Sequence, residues 1–273
     1  MKKLFSKLPV IATYFSVILT MIIFLFILGF ILFNGIPYLT PSLFSPIYNS
    51  ENVSLVPAMI STVILVCIAL IIAIPFGVFS AVYLVEYARR GSKVVSMISI
   101  TTETLSGIPS IIYGLFGMMF FVTYLKWGYS LLSGAFTISI MILPLIIRSS
   151  EEALKAVPDN YREASFGLGA GKLRTVFMVV LPSAIPGILT GVILSIGRIV
   201  AETAVLIYTS GTVAQIPTNV MQSARTLSVH MWLLSSEAFH INESYATAVV
   251  LVVVILFINL LSKLLTNKVR SSV

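Results

Sequence analysis

The sequence predicts an all-α membrane protein of six transmembrane helices with both termini in the cytoplasm, and three observations carry that prediction. Of 273 residues, 58% are hydrophobic and 10% charged, whereas a soluble domain devotes about a quarter of its residues to charge. The mean hydropathy is +1.05. Six windows are apolar over the length, about 20 residues, that a helix needs to cross about 30 Å of hydrocarbon. Fourteen of the seventeen Lys and Arg residues fall on one side of the resulting topology.

The windows run Val10–Phe33, Val56–Tyr83, Leu105–Leu125, Leu131–Ile147, Ala184–Tyr208 and Tyr245–Leu265. Backbone groups in lipid must be satisfied within the segment, which makes each window a helix and excludes an open sheet. The first resembles a signal peptide in having Lys2, Lys3 and Lys7 ahead of an apolar stretch. The stretch is too long for such a peptide and lacks a small-residue cleavage site, so it is read as a retained helix. Lys126 to Ser130 is read as a tight turn between the third and fourth windows. Cys67, alone in the chain, excludes an internal disulfide and is expected to be a small buried residue of the second helix.

Orientation follows from the basic residues that flank the spans. Lys2, Lys3 and Lys7, then Arg89, Arg90 and Lys93, then Arg148, Lys155, Arg162, Lys172 and Arg174, and last Lys263, Lys268 and Arg270 all face the cytoplasm if the amino terminus does. Lys126 and Arg225 are external and Arg198 lies within a span. The net charge of +7 is spread over four loops, unlike the single basic face of a nucleic-acid binder.

Between Arg148 and Leu181 lies the longest cytoplasmic segment, far more than two adjacent helices need for a connection. Pro158 and Asp159 open a short helix there, as a first-turn proline and an early acid should, and Gly167, Gly169 and Gly171 end it. No GxxxxGK[ST] phosphate cradle occurs, so the chain carries no nucleotide site and binds no cofactor of its own. His230 and His240, ten apart in an external loop without neighbouring cysteines, are read as ordinary polar loop residues with no metal.

Arg198 and Glu202 sit in the middle of the fifth window, four apart and so expected on one helix face. An ionised side chain at the bilayer centre costs about 2.5–3.5 kcal/mol on insertion scales, which marks it as a functional candidate. One reading is a structural ion pair between helices. The other gives Arg198 a water-filled path on which its planar, permanently charged fork meets an oxyanion. Glu202 would then hold Arg198 in place or keep the anion from binding too tightly to leave. The span lacks a nucleophile with its base, which argues against a membrane-embedded enzyme. Glu103 is read as an interfacial residue reaching water, and Gly107, Pro109, Gly114 and Gly117 as a stretch where helices approach closely.

Glu163, Ala164 and Ser165, then Gly169, Val179, Leu181 and Pro182 at fixed spacing, resemble the EAA loop of ABC importer permeases. Leu105 to Gly117 resembles the third-helix signature of the phosphate-specific permeases of the PstA type. Ile74 to Ala88 is similar to their second helix end, and Leu181 to Gly191 followed by Arg198 and Glu202-Thr203-Ala204 to their fifth helix. Ser165, Val179 and Val205 depart from the residues usual in that family.

The resemblance implies a MetI-like type I permease fold. It divides the chain into a first helix and external loop (1–55), a permease core (56–265) with its coupling loop (149–182), and a cytoplasmic tail (266–273). It implies transport and no catalysis: Arg198 and Glu202 on the phosphate path, and Glu163, Ala164, Ser165, Gly169, Leu181 and Pro182 in the coupling of a separate ATPase. It implies as partners a PstC-like permease subunit, a dimeric PstB-like ATP-binding subunit and an external PstS-like phosphate-binding protein, in the inner membrane of a bacterial or archaeal cell. Another oxyanion, molybdate or sulfate, is the alternative substrate. The external loop Thr209 to Ser244, with Arg225 and Trp232, is the expected surface for the binding protein.

Overall fold

The computed structural model describes residues 8–89, 92–237 and 239–270, and every regular element among them is helical. Helix α1 spans Leu8–Gly35, α2 Val56–Val82, α3 Lys93–Ser106, α4 Ser110–Gly117 and α5 Leu131–Lys155. Helix α6 spans Asp159–Gly167, α7 Lys172–Thr175, α8 Leu181–Ala201, α9 Ala204–Thr209, α10 Leu227–Ser236 and α11 Ile241–Arg270. Wider π-type turns prolong α2 through Tyr83–Tyr87 and α4 through Met118–Tyr124, and a third, Val176–Val180, joins α7 to α8. Lys2, Lys3, Lys7 and Arg90, used above for orientation, lie outside the described residues.

Five of these helices are long and apolar enough to cross a membrane, and a sixth span arises if α3 and α4 are taken together. Here the structure departs from the expected third helix. Instead of one rod over Leu105–Leu125, the chain turns through 100° between Ser106 and Ser110. Pro109 has no N–H to continue the ladder, and the residue before a proline is pushed out of the helical region. The fifth span also differs: the rod runs from Lys172 to Ala201 and stops short of Tyr208, which lies on the separate helix α9.

The fold is organised around α5, the most buried span. Ala69, Ala73, Gly77 and Ala81 repeat every four residues along α2 and are all buried. Into that stripe of small residues α5 sets the fully buried Ile138, Ile142 and Ile146, also four apart. A Cβ on Gly77 would stand 2.5 Å from Ile146 Cγ2, so only glycine permits this approach. On the other side of α5, Gly187 and Gly191 of α8 close on Ala153 and Ser149.

Helix α1 packs against α11, where Phe30 meets Tyr245 edge-on at 5.8 Å. The rest of its surface is exposed, as suits a helix whose solvent is lipid. Cys67, expected to be buried, is exposed on α2.

The end of the bundle opposite α6 is closed by a small separate core of Leu43, Val53, Leu55, Leu227 and Leu234. Beside it Arg225 and His230 are buried, the latter completely. Arg225 stacks 4.4 Å over the Tyr48 ring, and His230 meets the same ring edge-on at 6.2 Å. Burial, and secondarily the Arg225 charge, pushes the His230 imidazole down to about 3, although the Val53 backbone beside it favours the charged form. The protonated form therefore belongs to the unfolded chain between pH 6.5 and about 3, and stability falls as pH drops through that window. The slope approaches about 1.4 kcal/mol per pH unit. Thermal unfolding in detergent should show a pH dependence that shrinks in His230→Gln; an identical dependence in both proteins would refute the neutral, buried imidazole.

Candidate functional site

Helix α8 has two faces. Ala184, Ile188, Gly191, Ser195 and Ile199 are buried on one of them. Thr190, Leu194 and Ala201 are exposed on the other, and a Cβ on Gly197 would meet no atom within 4 Å. Arg198 lies beside this open stripe, half-buried. The ion pairs among the described residues are Lys155–Glu151, Arg162–Glu86, Arg162–Asp159 and His240–Glu243. Arg198 is in none of them.

Its expected partner has been turned away. Helix α8 ends at Ala201, and Glu202 is extended, with φ −75° and ψ 128°. The two residues therefore do not share a helix face, although the sequence spacing predicts it. Glu202 instead directs Oε1 to the Val205 amide, which donates to it at 3.3 Å, in the manner of a carboxylate at a helix start. The Glu202 carbonyl, freed from the helix ladder, accepts a hydrogen bond from the Ser228 hydroxyl at 2.5 Å.

The second break lies alongside the first. Helix α4 packs on α9 so closely that a Cβ on Gly114 would stand 3.0 Å from Val205 Cα and 3.2 Å from the Ala204 carbonyl. At the α3–α4 turn the Tyr113 hydroxyl donates to the Leu105 carbonyl at 2.7 Å, and Tyr113 lies within electrostatic reach of Arg198. The fold thus brings together two broken helices, α4 and α9, and a guanidinium with no carboxylate in pairing distance among the described residues. The sequence signalled the α3–α4 break by Gly107 and Pro109, read there only as close packing. The break at Glu202 carries neither residue.

At the end of the bundle away from this site α6 begins at Asp159 with Pro158 before it, as expected, and ends at Gly167. Gly169 has φ +83°, and its amide donates to Phe166 while that of Ala170 donates to Ser165. These two bonds form a Schellman motif, which needs a left-handed residue and explains the glycine. The Ser165 hydroxyl bonds to Thr175 at 2.8 Å and fastens α6 to α7. Glu163 and Ala164 are exposed, Leu181 and Pro182 partly buried at the start of α8. Tyr161, Phe166 and Leu168 also face outward, Leu168 being 90% exposed.

Arg162 and Glu86 were counted in the sequence only as topology and motif residues. In the structure Arg162 holds Glu86 at 2.7 Å, with side chains 15% and 8% exposed. It also donates to the carbonyls of Val157 and Leu154. One guanidinium therefore joins α6 to the ends of α2 and α5. At the opposite end, Arg225 is too buried to be a contact surface, contrary to expectation, while Trp232 is 45% exposed. His230 is a buried residue of α10 and not a polar loop residue.

This architecture defines a polytopic helical membrane protein whose spans are interrupted at a charged site and one end of whose bundle carries an exposed short helix. Residues 73–271 match the family described as the binding-protein-dependent transport system inner membrane component, and the chain belongs to that family. It is 37% identical over 213 residues, 72% of each chain, to the "Probable ABC transporter permease protein YqgI" of Bacillus subtilis. It is 31% identical over 268 residues to the phosphate transport system permease protein PstA of Haemophilus influenzae, across 96% of this chain and 94% of that one. The PstA 1 protein of Mycobacterium tuberculosis is 34% identical over 207 residues, covering 74% of this chain and 67% of its own.

Among solved structures, a chain of a bacterial alginate ABC importer superposes with a TM-score of 0.63 at 15% identity, over 96% of this chain and 97% of that one. One of the inward-facing MetNI methionine transporter gives 0.60 at 20% identity, over 77% and 91%. The fold is that of MetI-like ABC importer permeases.

The Arg162–Glu86 tie can be measured directly. A double-mutant cycle of Arg162→Met and Glu86→Gln on the solubilised protein should give a coupling energy of roughly 0.5–3 kcal/mol; additivity of the two changes would contradict it.

Proposed function

We propose that this chain is the transmembrane permease subunit of an ATP-driven importer of inorganic phosphate, with Arg198 as the cation that the anion meets inside the membrane. One observation carries the reading: a permanently charged guanidinium sits beside an open helix stripe with no carboxylate in pairing distance among the described residues. Such a charge is costly in lipid and finds its compensation in an anion that passes. Glu202, one turn away and held at α9, keeps the well shallow enough for release. Relatives that bear the name of phosphate permeases favour phosphate over molybdate or sulfate.

In the same reading both termini face the cytoplasm of the cell that houses the protein in its inner membrane. A PstC-like permease pairs with this chain, a dimeric PstB-like ATPase docks on Glu163, Ala164, Ser165 and the exposed face of α6, and a PstS-like binding protein delivers phosphate outside. ATP is hydrolysed on the partner. The Arg162–Glu86 pair and the Ser165–Thr175 bond supply a stiff connection from α6 to the membrane helices, through which a closing ATPase dimer moves the spans. Leu181 and Pro182 start the rod that carries Arg198.

Uptake of labelled phosphate by the reconstituted transporter tests the substrate. Arg198→Ala should lower it about 10- to 100-fold while assembly persists, and excess molybdate or sulfate should not compete. Competition by either oxyanion would reassign the substrate, and normal uptake in the mutant would return Arg198 to a structural role. For coupling, Gly169→Asp forces a side chain into the left-handed region at a cost of about 1–2 kcal/mol. It should leave the chain in the membrane but uncouple ATP hydrolysis from uptake; unchanged coupled hydrolysis would remove α6 as the docking element.

A further inference from the structure

The break at Glu202 has a local contact, the Glu202 carboxylate on the Val205 amide, but no residue that forces it. Ala201, Glu202 and Thr203 include neither proline nor glycine, and a helix continued through them would place Glu202 on the Arg198 face, one turn on. What stands against continuation is a hydrogen bond from 26 residues away. The Ser228 hydroxyl holds the Glu202 carbonyl, which in an unbroken helix would accept from the amide of Leu206. That amide is bonded to Thr203 instead. Both arrangements satisfy the carbonyl, and the released Ser228 hydroxyl still has Thr226 Oγ1 at 3.2 Å, so the two can exchange without leaving an orphaned polar group in lipid.

We propose that Ser228 is a positioning residue, a latch that keeps α8 broken at Glu202 and thereby keeps the Glu202 carboxylate off Arg198. The inference rests on the reading of Arg198 as the anion's cation. With the latch closed, Arg198 is free for the anion. With it open, α8 extends by a turn, Glu202 pairs with Arg198, and an internal carboxylate displaces the cargo.

Ser228 is 1% exposed and is itself anchored. The adjacent Leu227 amide donates to Thr62 Oγ1 on α2 at 2.9 Å, and Arg225 and His230 on either side are packed on Tyr48 of the external segment. A displacement of the external segment thus reaches the membrane site through one hydroxyl, and the latch is the route by which an event at the outer face sets the charge inside.

The test is the KM for phosphate in ATP-driven uptake by the complete reconstituted transporter. Ser228→Ala should raise KM about five- to tenfold, while Ser228→Thr, which keeps the hydroxyl, should stay near the parent value. In Ser228→Ala/Glu202→Gln the rise should vanish relative to Glu202→Gln alone, because an amide cannot replace the anion at Arg198. An unchanged KM in Ser228→Ala, or a rise that persists in the double variant, would overturn the latch. Arg198→Ala run alongside separates the two readings. Normal uptake in that variant removes the anion site and the latch together, whereas lost uptake with no KM shift in Ser228→Ala removes the latch alone.

Discussion

In hydrocarbon no water is present to take up a free peptide group, so every interruption of a membrane helix must be answered by a donor or acceptor from the protein. Two spans of this chain are interrupted, and in both a hydroxyl gives the answer: Tyr113 to the Leu105 carbonyl and Ser228 to that of Glu202. The rest of the structure follows from these two bonds. They let α4 and α9 start inside the bundle, bring the breaks side by side through Gly114, and leave Arg198 without the carboxylate that the sequence places four residues on. The stripe of small residues that seats α5 on α2 serves the same end, since it supplies the rigid frame against which a broken helix can be held.

Charge is used sparingly and with different consequences at the two ends. At the end that carries α6, Arg162 is saturated, with two carboxylates and two carbonyls around it, and acts as a rivet. Within the span Arg198 is left open. A guanidinium that is fully paired stabilises a junction, whereas one left unpaired in a medium of low dielectric constant is poised for a ligand. Arg225 is a third case: buried and stacked on an aromatic face, it is held by the Tyr48 ring where a carboxylate would be usual.

The comparisons and the geometry complement one another. Family membership accounts for the order of the helices and the exposed α6, and similarity to named phosphate permeases runs over nearly the whole chain. Neither says how a helix with no proline or glycine at residues 201–203 comes to be broken there. That is answered by Ser228 of α10, which the family match includes but whose contact with Glu202 is a matter of three-dimensional packing.

The sequence by itself determined which stretches lie in the membrane, because hydropathy over about 20 residues is a local, additive property. It also determined α6, whose start at Pro158–Asp159 and stop at Gly169 follow from backbone restrictions on single residues. Arg198 and Glu202 were legible as candidates, since charge in a span is costly wherever it points. Their mutual arrangement was not. Helical spacing put them on one face, and a hydroxyl 26 residues downstream took them apart; the bend at Gly107–Pro109 had a local signature, but its use as a partner for the second break did not. Burial of Arg225 and His230, exposure of Cys67 and the hub at Arg162 were likewise decided only by tertiary structure. Each depends on what stands opposite in space, and composition along a chain carries no record of that.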